Sequence, residues 1–189
     1  AFLVLGSYEL SRSAVESLFL DAHSSESLPY VWLLVAAGAV ATVTVYNHYA
    51  ARWPLFKLLV GCLVISSAAL ALLLFGVKAE LPGIYYVLYV WKDIYIVVLV
   101  ESFWTMANNL YTEKSARWYY GLFLVMGTIG SVSGGLGVGV LAQSFGTTAS
   151  LWAVVPTLLA AVPICLYLQR TVEIPVVAEE PERKTQIGD

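Results

Sequence analysis

The feature that most constrains this chain is a series of six strongly apolar stretches, roughly 1–21, 29–49, 55–76, 84–110, 117–143 and 149–169, joined by short links. Crossing the ~30 Å hydrocarbon core of a bilayer takes about 20 helical residues, and most of these stretches reach that length. A segment in lipid must satisfy its backbone internally, so each stretch is expected to be a helix. Links as short as Ala50 to Pro54 and Ser144 to Thr148 force neighbouring helices to run antiparallel.

Composition agrees with an all-α membrane protein. The chain is 59% hydrophobic and 12% charged, with a mean hydropathy of +0.77, far outside the range of soluble domains. The lipid bilayer is thus an expected partner, and the absence of a basic patch argues against nucleic acid. Ala1 already lies inside an apolar run with no initiating Met, so the chain is expected to be a fragment. From 171 to 189 prolines and mixed charges replace the apolar run; 1–170 is read as one six-helix domain and 171–189 as a polar cytoplasmic tail, or a linker to a second membrane half.

Lys and Arg near helix ends stay on the cytoplasmic side. Arg52, Lys57, Lys114, Arg117, Arg170, Arg183 and Lys184 fall in the 2–3 and 4–5 connections and the tail, whereas the opposite connections hold Lys78 with Asp21, Glu26 and Glu80. Both ends are therefore expected to be cytoplasmic, in a multi-pass protein of, most simply, a bacterial inner membrane.

Nearly all of the charge inside the apolar stretches sits in the first and the fourth. Glu9, Arg12 and Glu16 are spaced i, i+3 and i+7, so they project from one helix face. Two readings apply: an ion-pair ladder internal to the helix, or a stripe lining a polar cavity. Glu101 lies near the middle of the fourth stretch and shares a face with Asn108, flanked by Trp104 and Thr105. Ionisable groups in hydrocarbon cost several kcal/mol each and survive mainly where they face a bundle interior, a partner charge or a water-filled path. Glu101 is accordingly either a coupling or solute-contacting residue or a partner for Arg12. Lys92 and Asp93 are read as interfacial, within an aromatic belt of Tyr85, Tyr86, Tyr89, Trp91 and Tyr95. Helices 3 and 6, without buried charge, are expected to face lipid more than the path.

Because each group of three helices opens with its charged member, the chain reads as two repeats, 1–76 and 84–169. Three is odd, so the second repeat enters the membrane from the opposite side, the inverted 3+3 arrangement found in each half of major facilitator transporters. In the fifth stretch, Gly127, Gly130, Gly134, Gly135 and Gly139 form small-xxx-small spacings that let helix backbones approach closely. Pro156 and Pro163 are expected to bend the sixth helix. Cys62 and Cys165 lie in different apolar stretches and read as small hydrophobes; His23 and His48 lie at or beyond helix ends. No metal site, cofactor or enzymatic constellation is expected.

The segment VESFWTMANNLYTEKSARWYYGLF, followed by the glycine-rich helix, resembles the fourth and fifth helices of the ATP/ADP translocase-type nucleotide transporters and their bacterial relatives in the major facilitator group. Glu101, Phe103 and Trp104 carry the first part of that likeness, and Ala116, Arg117, Tyr120 and Phe123 the second. The segment YELSRSAVESLFL is similar to the family's first helix, with Arg12 and Glu16 in register. The resemblance implies the N-terminal six helices of a twelve-helix secondary transporter that moves a small solute by alternating access, with a second six-helix half to follow. Ser13, Ala14 and Val15 stand where nucleotide exchangers carry an Asp and a Lys, and a triphosphate needs a cationic pocket; a nucleotide would require the other half to supply it. The rival readings are a six-helix anchor or sensor module with static ion pairs, and a membrane-embedded enzyme, for which no catalytic set is present.

Overall fold

The computed structural model describes residues 1–50, 52–111 and 113–171, and every regular element among them is helical. α1 (Phe2–Ala22) leads through a short 3-10 turn to α2 (Leu28–Ala50), α3 (Leu55–Lys78), α4 (Ile84–Leu110), α5 (Glu113–Phe145), α6 (Thr147–Trp152) and α7 (Val154–Thr171). Four segments are long and apolar enough to cross a membrane by length and composition: Ser25–Ala50, Leu55–Lys78, Ala116–Phe145 and Thr147–Thr171. α1 and α4 have the length, at 21 and 27 residues, but their ionisable side chains keep them out of that group. The chain is a helical membrane protein. The expected polar tail from 172 onward lies outside the described residues.

Helix ends follow local chemistry. Gly83, at the N-cap of α4, has φ +75°, and Gly146, between α5 and α6, has φ +89°; a Cβ disfavours that left-handed region. The last apolar stretch breaks into α6 and α7 at Ala153 instead of bending within one helix. Pro156 has no N–H to bond the Trp152 carbonyl, and its ring crowds that oxygen, which accounts for the break. Pro163 sits inside α7 without interrupting it. α5 is 33 residues, ~50 Å at 1.5 Å per residue, and so longer than the hydrocarbon core it would cross.

The helices pack in two layers. A front row runs α2, α4, α1, α5, and behind it α3 packs on α4 while α7 packs on α1 and on α3. Phe19 against Tyr86, Glu16 against Lys92 and Ser11 against Tyr95 set α1 and α4 antiparallel. Phe2 against Gly130 and Gly6 against Gly134 set α1 and α5 parallel. The core between the layers is filled by fully buried Phe19, Leu63, Leu70, Leu74, Leu88, Leu99, Leu151 and Leu158. α3 and α6–α7 stand on the side away from the charged residues, while α2 leaves most of its apolar side chains uncovered.

Candidate functional site

Three sides of α1 are occupied. Ser11 and Phe19 meet α4, Phe2 and Gly6 meet α5, and Leu3 and Val4 border a cleft shared with Ala161 and Cys165 of α7. The fourth side carries Glu9, Arg12 and Glu16. α4 is laid out the same way: Lys92 and Tyr95 meet α1, Val90 and Ile94 approach Gly38 of α2, and Ser102 faces Cys62 of α3. Val97, Glu101 and Asn108 follow at spacings of seven from Val90 and Ile94, on the side of α4 nearest α2, and are exposed among the described residues. The charged residues of α1 and Glu101 of α4 are thus partly or fully exposed among the described residues.

The α1 stripe is an ion-pair ladder. Arg12 Nη1 donates to Glu9 Oε1 at 3.3 Å, and Arg12 Nε lies 3.6 Å from Glu16 Oε1. The ladder does not end within α1, because Glu16 Oε1 is also 3.5 Å from Lys92 Nζ. Lys92 is 2% exposed; its Nζ donates to Asp93 Oδ1 at 2.9 Å and sits 3.9 Å from the Tyr89 ring centroid. Removing an ammonium from water costs several kcal/mol, which two carboxylates and an aromatic face offset. Below this point Ser11 Oγ and Tyr95 Oη are hydrogen-bonded at 2.8 Å.

Lys92, read from the sequence as one of an interfacial pair, is packed inside the chain as the buried link between α1 and α4. The aromatic residues around it are likewise packing groups more than a lipid-facing belt. Tyr89 and Tyr95 are buried, Trp91 stacks on Tyr95 at 4.4 Å, and Tyr86 meets Phe19 and His23 edge to face. A signal for this was present in the sequence: Leu88, Lys92, Tyr95 and Leu99 follow the i, i+4, i+7, i+11 rhythm of a core-facing stripe.

Glu101 does not pair with Arg12. Ser11 is level with Tyr95, so Glu101, six residues further along α4, stands ~9 Å beyond that level; its neighbours across the seam are at the start of α1. Among the described residues it has no ion pair within 4 Å. Thr105 and Asn108 continue its face towards the helix end, where Tyr120 Oη donates to Asn108 Oδ1. Trp104 is half-buried and packs edge to face on Tyr120 at 5.2 Å, and Phe103 packs similarly on Phe123 at 5.2 Å. These four aromatic residues, scattered over 21 positions, make one cluster joining the end of α4 to the start of α5.

The glycines divide. A Cβ on Gly130 would run into the backbone of Phe2, one on Gly134 into the backbone of Gly6, and one on Gly127 would come within 2.5 Å of Leu5 Cδ1. Gly135 and Gly139 have no neighbouring atom within 4 Å of an added Cβ, so in this chain they bring no second helix close. The clefts at the start of α1, about 100 and 200 Å³, are lined mainly by apolar side chains; of the charged and polar front-face residues none lines them, although Trp104 borders the smaller.

Fold and seam together define the class: a helical membrane protein with charged side chains exposed at mid-helix among the described residues. No protein-family model matches the chain, and no curated protein or solved structure matches it.

Proposed function

We propose that this chain is one half of a secondary active transporter that moves a small solute by alternating access, with the front face of α1 and α4 lining the solute path. The observation that carries the reading is that the mid-helix charge of α1 and α4 stays partly or fully exposed among the described residues. Glu9, Arg12, Glu16 and Glu101 at that depth call for water, solute or a second membrane half opposite them.

Helix packing supports an inverted-repeat reading of the major facilitator kind. Exchanging helices one, two and three with four, five and the α6–α7 segment turns the α1/α5 contact into α4/α2 and the α1/α7 contact into α4/α3. The α1/α4 and α3/α7 contacts turn into themselves, and all of these pairs are present. Both ends are then cytoplasmic and the bilayer surrounds the back layer. Four carboxylates (Glu9, Glu16, Asp93, Glu101) face two cations (Arg12, Lys92) along the seam, which favours a solute other than a polyphosphate unless the second half adds cations.

The alternative, a six-helix anchor or sensor, draws support from the fact that Arg12 and Lys92 already have partners within the chain. Uptake by the full-length protein in proteoliposomes separates the two. A panel of nucleotides, amino acids and organic cations, with and without a pH gradient, is expected to yield at least one saturable substrate. Inactivity across the panel would turn the account towards the anchor.

A further inference from the structure

We infer that Lys92 is a positioning residue of the α1/α4 face: from beneath, it fixes the Glu16 carboxylate and, through it, Arg12, and so sets the charge that a solute meets. The inference rests on the solute-path reading above and adds to it a residue that no solute touches.

Burial and geometry carry it. Across this seam the charges grade from covered to open: the Lys92 side chain is 3% exposed, Glu9 and Asp93 24%, Glu16 40% and Arg12 47%. Glu16 Oε1 is the shared atom, with Lys92 on its inner side and Arg12 on its outer side. Lys92 is held in turn by Asp93 on its own helix and by the ring of Tyr89, while Trp32 of α2 donates its indole N–H to the Tyr89 hydroxyl. The ammonium therefore has little freedom, and the carboxylate it grips inherits that restriction. Arg12, by contrast, is held among the described residues by carboxylates of its own helix alone. Without Lys92, Glu16 would be free to turn towards solvent or to pair with Arg12 alone, and the face would gain one negative charge.

A thiol on the open face measures this without any transport assay. In the full-length protein, with Cys62 and Cys165 replaced by alanine, Ser13→Cys places the probe beside Arg12 on an uncovered position. The ratio of its reaction rates with a cationic and an anionic methanethiosulfonate reports the local potential. Lys92→Met is expected to raise that ratio roughly three- to tenfold, mainly through the Glu16 carboxylate it frees and in smaller part through the lost charge itself; Lys92→Arg is expected to leave it within twofold. In a Glu16→Gln background the effect of Lys92→Met is expected to shrink at least by half, because the coupling runs through Glu16. Equal effects in both backgrounds would reduce Lys92 to a remote charge and overturn the inference. If Lys92→Met does not fold, the Glu16→Gln and Lys92→Arg ratios decide: Lys92→Arg departing more than twofold from the parent, or Glu16→Gln leaving the ratio unchanged, overturns it. A thiol at position 13 that neither reagent reaches would remove the aqueous path and the inference with it, whereas the predicted ratios without any solute uptake would sink the carrier reading alone.

Discussion

Replacing Gly134 by alanine tests the close approach of α1 and α5. An added methyl would meet the Gly6 carbonyl oxygen, with the Gly6 carbonyl carbon at 3.0 Å and Cα at 3.1 Å. These are backbone atoms and cannot swing aside, so α1 and α5 must separate along a contact that also includes Gly130 against Phe2. Overpacking of this kind costs ~1–3 kcal/mol, partly offset by the helix propensity of Ala over Gly, worth ~1 kcal/mol. Gly135→Ala gains the same propensity but has no atom within 4 Å of its new Cβ. The difference between the two variants therefore isolates the overpacking cost and is expected to be ~1–3 kcal/mol, with Gly134→Ala the less stable. Thermal or detergent-induced unfolding of both variants in the same micelle measures it. Equal midpoints would refute the close α1/α5 approach.

Other expectations follow from the seam. Asp93→Asn loses a charge-assisted bond of 2.9 Å to a buried ammonium and is expected to cost ~1.5–3 kcal/mol; Glu16→Gln, at 3.5 Å and 40% exposed, is expected to cost less than ~1 kcal/mol. Unfolding midpoints of the two give the order, and the reverse order would contradict the geometry. Ser11→Ala removes the bond to the buried Tyr95 hydroxyl and is expected to cost ~0.5–1.5 kcal/mol. Tyr95→Phe is expected to cost less, because Ser11 keeps its bond to the Tyr8 carbonyl at 2.9 Å; the same unfolding assay compares them.

Much of the fold was legible in the sequence because the constraint is coarse: lipid demands long apolar helices, and short links demand alternating direction. The α1 stripe was legible for the same reason, since i, i+3 and i+7 spacing fixes a helix face without any knowledge of neighbours. What escaped was everything that depends on which helix stands next to which. Lys92 beside Asp93 reads as an interfacial pair until α1 is known to cross at that level with Glu16. Arg12 and Glu101 are opposite charges on the two polar helices, yet the α1/α4 register holds them at different depths. The glycine spacings marked α5 as a close-packing helix, but Gly130/Gly134 and Gly135/Gly139 are equivalent as patterns, and only the position of α1 selects the first. The break at Ala153 needed the interplay of Pro156 with a carbonyl one turn earlier, a local rule that a span count overlooks.

On the transporter reading, the face bearing Glu9, Arg12, Glu16 and Glu101 is a water-lined solute path and not a lipid-facing surface. Single cysteines along α4 of the full-length protein in membranes test this directly, with a membrane-impermeant thiol reagent and the rate of modification as the measured quantity. Positions 97, 101 and 108 are expected to react, and positions 99, 102 and 106, which are buried, are expected to stay protected. Uniform protection of the front positions would contradict a water-lined path.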